Sequence, residues 1–433
     1  MFRPEGPAPR ATLMTDSHDA LYRAICANPN EDTPRLMFAD LVEENGDPLR
    51  ARFIRTQVAL ARVPVYDPAW VAARQHEPDA ATGWGMAHTL PKVPAGFGWH
   101  RFEFRRGFPW KVGVRSWAGL VAAGESVFEA APVQALDIGA PDRPTLSHCA
   151  AWPHLRRLRE LEISVGWNDA ADVEALVESE HAAQLSELGF EFDGLAPDGL
   201  RALAASPLFA RLSELELRSI AIPSALLVDA LAAARVPCTL ERLALPFNRL
   251  GRADAEHLFE LPVVRGLRHL DVSDNPLNVG GVTALAESGA IHGLRVLNLS
   301  KTRPGVPGVK ALTEAGGLAG LRALDLSDNA LGPVAVKALA GCGGFRGLRA
   351  LNLSNNLVGD SGALALAGAR SLAGLLELDL RDADVSDAGA LALAESPHLG
   401  GLLRLDLRGR DGRGFGPVAR AALVDRFGAG VCL

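Results

Sequence analysis

Cysteine is sparse in this 433-residue chain. Its five cysteines, Cys26, Cys149, Cys238, Cys342 and Cys432, are scattered along the whole length, with an odd total and no Cys-x-x-Cys pair. That spacing excludes a disulfide framework and a zinc ribbon. Long uncharged runs are missing as well: the longest, such as Pro144–Leu155 and Asn275–Ala286, reach twelve residues, short of the roughly 20 apolar residues of a membrane helix. No bilayer span is expected. The opening residues, Met1-Phe2-Arg3-Pro4-Glu5-Gly6-Pro7, lack the apolar stretch of a secretory signal, so a cytoplasmic location is expected. Lysine supplies only five of the 44 basic residues, a bias that fits a GC-rich genome better than a particular partner. There is no His-Glu-x-x-His, no Gly-x-Ser-x-Gly and no phosphate-binding glycine loop, and the eleven histidines are scattered. No catalytic, cofactor-binding or metal-binding residues are therefore assigned, and the chain is read as a non-enzyme.

What the sequence does contain is apolar material, 48% against 22% charged, the profile of a folded globular protein. The net charge of −7 has a location. Residues 1–132 carry 15 basic and 15 acidic groups, and the rest of the chain carries 29 and 36. That remainder is periodic. Segments such as Leu267-Arg-His-Leu-Asp-Val-Ser-Asp-Asn275, Leu321-Arg-Ala-Leu-Asp-Leu-Ser-Asp-Asn329 and Leu348-Arg-Ala-Leu-Asn-Leu-Ser-Asn-Asn356 share the form L-x-x-L-x-L-x-x-N. Eleven copies begin at Val133, Leu158, Leu185, Leu212, Leu240, Leu267, Leu294, Leu321, Leu348, Leu375 and Leu402, spaced by 25, 27, 27 and 28 residues and then by 27 six times. Within each copy the fourth and sixth positions are apolar and alternate with polar ones, as in a strand with one buried face. An Ala/Leu-rich stretch follows, such as Gly362-Ala-Leu-Ala-Leu-Ala367, long enough for two or three helical turns. Strand then helix, repeated, predicts a parallel sheet with helices outside it, each unit burying its apolar face on the next. The ninth-position Asn should close the turn after the strand by satisfying backbone groups. Asn248, Asn275, Asn329 and Asn356 fit, Thr302 and Asp193 can substitute, and Gly166, Ile220, Ala383 and Arg410 depart, so irregular turns are expected at those four.

The repeat resembles the leucine-rich repeat family, in the longer subtype of ribonuclease-inhibitor-like proteins, over residues 133–410. The resemblance implies an α/β fold: a right-handed solenoid shaped as a horseshoe, with a parallel β-sheet on the concave face and helices on the convex face. Residues 108–132 are read as its N-terminal cap and 411–433 as its C-terminal cap. Ahead of it, residues 17–63 read as a small all-α module. Thr33-Pro34 and Asp47-Pro48 start helices and Asn45-Gly46 stops one, with Thr33 as an N-cap and Leu49, Phe53, Ile54 and Val58 facing inward. A module of this size should lean on a neighbour. The string Asn28-Pro-Asn-Glu-Asp-Thr-Pro-Arg-Leu-Met-Phe-Ala-Asp-Leu-Val-Glu-Glu-Asn-Gly-Asp-Pro48 is similar to the bacterial repeat-companion domain, which implies architecture without an activity. Residues 64–107 form a Pro/Gly/Trp-rich connector. All seven tryptophans lie between Trp70 and Trp167, and these rings are expected to cover the solenoid end and dock the module.

The third and fifth positions of each copy should face outward on the concave side. Copies two to four place Glu160, Glu162, Glu187, Glu191, Glu214 and Glu216 there, and later copies add Asp271, Asp325 and Asp379. Copies ten and eleven bring Arg381, Arg404, Arg408 and Arg410. Phe192 and Phe247, just before the turn, are candidate aromatic anchors. The reading is a protein-interaction scaffold whose partner, with a basic surface, binds this face. The alternative is a stoichiometric inhibitor or activator of another enzyme. Neither a membrane nor a small-molecule cofactor is implied. Arg101-Phe-Glu-Phe-Arg-Arg-Gly-Phe-Pro-Trp-Lys111 is basic and aromatic but alternates like an edge strand in an acidic chain, so nucleic acid is set aside.

Overall fold

A computed structural model describes residues 9–63, 67, 91, 97–99, 104–139, 142, 144–164, 166, 168–409 and 414–433. They fall in two compact units, one within Met1–Val165 and Ser179–Leu185, the other within Gly166–Glu178 and Ser186–Leu433. Trp70, Trp84, Trp167, Phe102, Arg410 and most of the connector lie outside the described residues.

The first unit opens with three helices, α1 (Pro9–Ala27), α2 (Thr33–Glu44) and α3 (Pro48–Leu60). Proline sits in the first turn of α2 and α3, where its missing N–H costs nothing. Between them Gly46 takes φ +90°, which ends α2. The Asp47 carboxylate caps α3 by accepting from Arg50 N at 3.0 Å. Two expectations are corrected. The N-cap of α2 is Asp32, which makes no side-chain capping bond and instead pairs with Arg62 and Arg106. Leu49 points to solvent, 56% exposed, because α3 turns its Ala51, Ile54 and Val58 edge inward.

That edge meets Ile25, Phe38, Ala39 and Val42, and the neighbour that the module needs is Phe108. This ring belongs to a hairpin of β2 (Phe104–Arg105) and β3 (Phe108–Pro109) and packs against Tyr22 and Phe38 at 5.9 and 5.5 Å between centroids. Gly107, at φ +84°, makes the tight turn, and a Cβ there would lie 2.7 Å from the Ile54 backbone. On the other side of the hairpin, β1 (Phe97–Trp99) runs antiparallel to β4 (Lys111–Val114), and β4, β5 (Ala135–Ile138) and β6 (Glu160–Ile163) are parallel neighbours. Helix Trp117–Ala130 links β4 to β5, and its C-terminal end holds α1 through Tyr22 Oη donating to Ala130 O at 2.8 Å. Docking of the module thus rests on Phe108 and Tyr22, whereas Trp152 packs on Trp117 and on Phe128.

The second unit contains ten consecutive parallel strands: β7 (Glu187–Glu191), β8 (Glu214–Arg218), β9 (Arg242–Ala244), β10 (His269–Asp271), β11 (Val296–Asn298), β12 (Ala323–Asp325), β13 (Ala350–Asn352), β14 (Glu377–Asp379), β15 (Arg404–Asp406) and β16 (Val431–Cys432). Each pairs like with like across the repeat, as in Arg242↔His269↔Val296↔Ala323. Fourth- and sixth-position residues such as Leu215, Leu217, Leu270 and Leu297 are fully or almost fully buried, each side chain contributing roughly 1.5–3 kcal/mol by leaving water. From Ala170–Glu178 onward the repeat helices pack each on the next, ending with Pro417–Phe427. The unit is α/β, with parallel strands and helices alternating along the chain.

Beyond the strands, buried asparagines tie one repeat to the next. Asn275 accepts from Asn248 N and Leu250 N at 2.9 and 3.0 Å, and its amide donates to Leu245 O, Val272 O and Ser273 O. Asn356, three copies further on, repeats the pattern, accepting from Asn329 N and Leu331 N. Thr302 substitutes with one donation, to Leu299 O at 2.7 Å. Irregularity at Ile220 and Ala383 is not what the structure has. Ile220 N donates to Asn248 Oδ1, and Ala383 O accepts from Gly359 N, so the neighbouring repeats keep both turns in register. Gly166 also departs harmlessly: Asn168, two residues later, is fully buried and donates to Gly194 O at 2.6 Å.

Candidate functional site

In the second unit, strand alternation brings positions three, five and seven of a copy to one face of the sheet, most openly in β8, where Glu214, Glu216 and Arg218 are half-buried between fully buried Leu215 and Leu217. The glutamates there do not stand alone. Arg218 reaches Glu191 at 3.1 Å and Glu216 at 3.0 Å, and Arg242 reaches Glu214 at 3.0 Å. Glu187 lies directly across from Glu214 in the register. The face at β7–β9 therefore carries four carboxylates and two guanidiniums, with net negative charge and much of its field spent internally.

Glu160 and Glu162 belong to the first unit and close on one cation. Lys111 Nζ lies 2.6 Å from Glu160 and 2.5 Å from Glu162, with only 8% of its side chain exposed. Burial alone would lower the lysine's affinity for its proton, but the two carboxylates outweigh it and raise its pKa above the ordinary value. Lys111, Arg218 and Arg242 were not among the sequence-derived candidates. The arginines could have been found by reading the third and seventh positions for cations as well as the third and fifth for acids. Lys111 gives no such signal, because it lies ahead of the first copy.

Further along, the fifth-position acids are tied into their own turns. Asp271 accepts from Ser273 N at 2.8 Å and from Asn298 Nδ2 at 2.9 Å, and Asp325 accepts from Ser327 N and Asn352 Nδ2 in the same way. Asp379 holds Arg381 at 2.6 Å. Asp406 is buried beneath Arg408 at 2.6 Å, with Arg381 and Arg404 each at 3.8 Å. Burial would raise the Asp406 carboxyl, but the Arg408 hydrogen bonds and the neighbouring guanidiniums hold it below the usual carboxylate range. His269, half-buried on β10, is lowered by burial and by Arg242.

At the C-terminal rim of these strands the eighth position is left-handed in successive copies: Phe192, Ser219, Phe247, Asp274, Lys301, Asp328, Asn355 and Asp382 all have φ between +50 and +60°. Asn and Asp tolerate that conformation, whereas a bulky aromatic is strained in it, by about 1 kcal/mol or more. Phe192 and Phe247 occupy it with 56% and 45% of their surface exposed. The Phe247 ring lies between two cations, Arg218 at 6.0 Å and Lys301 at 5.8 Å from its centroid. Among the described residues, no group of three or more His, Cys, Asp or Glu could hold a metal ion, and no helix is long and apolar enough to cross a membrane.

Four stretches, residues 267–286, 321–340, 348–367 and 375–394, match the Leucine Rich repeat family model. No curated protein matches the sequence. Solved structures similar to it include an internalin from Listeria monocytogenes, with 16% identity over 67% of this chain and 78% of that one and a TM-score of 0.41. The Rad7 and Elc1 complex of yeast has 14% identity over 96% of this chain and 100% of that chain, with a TM-score of 0.40. A TLR13–ssRNA13 complex has 18% identity over 64% of this chain and 36% of that chain, with a TM-score of 0.39. With the periodic strands and helices above, the four matched stretches identify the repeats of this α/β chain as leucine-rich repeats.

Proposed function

We propose that this chain is a non-enzymatic protein-interaction scaffold that holds a partner on the concave face of its leucine-rich repeats, centred on β7–β9. The observation that carries this reading is the pair Phe192 and Phe247. Each aromatic ring is exposed and sits in a strained backbone conformation that neighbouring copies fill with small or polar residues. Neither exposure nor strain stabilises the fold, and a partner that covers the rings would offset both costs. The surplus of carboxylates among Glu187, Glu191, Glu214 and Glu216 over Arg218 and Arg242 favours a partner surface that is basic around an apolar centre. The mostly 27-residue period, with an α-helix after the strand of each repeat, supports the ribonuclease-inhibitor-like subtype, and the three-helix module at α1–α3 supports the repeat-companion reading.

The test is crosslinked affinity capture with the full chain, comparing wild type with Phe192→Ser/Phe247→Ser and with Glu187→Lys/Glu214→Lys. Far-ultraviolet circular dichroism checks that the variants fold. The expected result is a protein captured by wild type and lost from both variants. Capture of the same set by all three would overturn the reading and direct attention to the helical module.

A further inference from the structure

A second charged feature runs along the opposite ends of the strands. Four successive copies carry the tripeptide Gly-Leu-Arg just before their strand: Gly266-Leu267-Arg268, Gly293-Leu294-Arg295, Gly320-Leu321-Arg322 and Gly347-Leu348-Arg349. The next two copies read Gly374-Leu375-Leu376 and Gly401-Leu402-Leu403, and the preceding copy has Glu241 at the arginine position. The stripe is therefore confined to four repeats.

Its first member is compensated, because Arg268 pairs with Glu241 at 3.2 Å. The other three are held by backbone alone. Arg295 Nη1 donates to Gly320 O at 3.1 Å, Arg322 Nη1 to Gly347 O at 3.1 Å and Arg349 Nη1 to Gly374 O at 2.6 Å. The guanidiniums of Arg322 and Arg349 occupy the space that a Cβ on Gly347 or Gly374 would take, so a side chain at either glycine would displace them. Among the described residues, none of the three has a carboxylate within ion-pair distance. They immediately precede adjacent parallel strands, and Arg322 N and Arg349 N donate to Arg295 O and Arg322 O, so the three like charges spring from backbone steps of about 5 Å. Arg322, in the middle, feels the stack: burial first, and then the charges of Arg295 and Arg349, lower its pKa from the ordinary arginine value.

Among the described residues, only Nη1 of each guanidinium is engaged, by one carbonyl in Arg295 and Arg349 and by those of Gly347, Ala319 and Leu321 in Arg322, which leaves the Nη2 and Nε donors for a carboxylate to bind. An anion seated between neighbours would also relieve their mutual repulsion. We propose that Arg295, Arg322 and Arg349 form a docking stripe for an acidic peptide segment, separate from the concave-face site. A peptide fits better than a nucleic acid for two reasons. The stripe spans only about 10 Å, so a longer phosphate backbone would run onto Glu241, and the strand residues beside it, Val296, Ala323 and Ala350, offer no aromatic ring for a base to stack on.

The test is fluorescence anisotropy on the full chain with three labelled probes: hexaglutamate, hexaglutamine and a thymidine hexanucleotide. Hexaglutamate should bind, more weakly as salt rises, and hexaglutamine should not. Arg295→Gln/Arg322→Gln/Arg349→Gln should weaken hexaglutamate by about tenfold or more, the product of three modest exposed pairs. Arg201→Gln/Lys310→Gln/Lys337→Gln, with the same change in net charge on the repeat helices, should leave it unchanged. If the arginine triple variant fails to fold by circular dichroism, Arg322→Gln alone is used and should weaken binding by roughly threefold. The proposal is overturned if hexaglutamate binds no better than hexaglutamine, if both triple variants lose it equally, or if the oligonucleotide binds more tightly than the peptide.

Discussion

Residues 240–356 and residues 108–163 both build parallel strands joined by helices, yet different groups hold them together. In the first stretch the glue is neutral and periodic. Asn248, Asn275, Asn329 and Asn356 are buried, and each closes its own turn while accepting backbone N–H groups of the copy before it. In the second stretch no asparagine plays that part. A single ammonium, Lys111, is enclosed by Glu160 and Glu162, and elsewhere in the stretch Trp152 packs on Trp117 and on Phe128. A carboxamide can both donate and accept, so it can be repeated indefinitely without accumulating charge. A buried ion pair cannot be stacked in this way, because each addition brings another desolvation cost. It suits a position that occurs once, beside the start of the array.

Experiments that separate the two kinds of glue should differ in size and in where the damage appears. The largest effect is expected from Phe108→Ala, which empties the centre of the helical module and should cost about 3–5 kcal/mol. Hydrogen exchange should rise across α1–α3 while protection in β10–β13 stays as in wild type. Asn275→Ala removes five hydrogen bonds and leaves buried backbone groups unpaired, for a loss of about 3 kcal/mol. Its exchange signature should centre on residues 245–275, since repeat arrays open locally.

Lys111→Met should cost about 2–3 kcal/mol in thermal or urea unfolding, because it leaves two partly buried carboxylates facing each other. Adding Glu160→Gln and Glu162→Gln should recover most of it, and equal stability of the single and triple variants would show that charge is not what Lys111 contributes. Acid tests the far end of the array. Asp406 has a folded-state pKa below its ordinary 3.8, so its contribution is complete above that value and is lost as the pH falls through the lower, folded one. Protection factors in β15 and β16, which are corrected for intrinsic exchange, should therefore fall as the pH is lowered below 3.8, and Asp406→Asn should remove its part of that dependence. The smallest effect, about 1 kcal/mol, is expected for Asp47→Ala, the loss of one helix cap.

The repeat register was legible because it rests on a local rule applied many times. A side chain that alternates faces along a strand does so whatever surrounds it, and the pairing of Glu214 with Arg242 and of Arg242 with His269 keeps the third positions aligned. Individual departures were harder to read. Gly166 looked like a missing turn residue because the pattern was held to a fixed count, whereas a buried asparagine, Asn168, stands two residues later and ties its turn to the following copy through Gly194 O. Leu49 looked like core because it is apolar and near the start of α3, but a first-turn position can face away from the packed edge at little cost.

Alternation and period, written into the chain from Val133 onward, are enough to determine parallel strands, alternating helices and an apolar layer between them, because each copy repeats the same short-range instructions. Which charges neutralise one another was decided only by tertiary structure. Lys111 meets Glu160 and Glu162 across some fifty residues, Phe108 completes a core begun at Ile25, and Arg218 reaches back to Glu191. Such contacts depend on which side chains the folded backbone brings within a few ångströms of each other, and electrostatic attraction that falls with distance and dielectric has no counterpart in spacing along the chain.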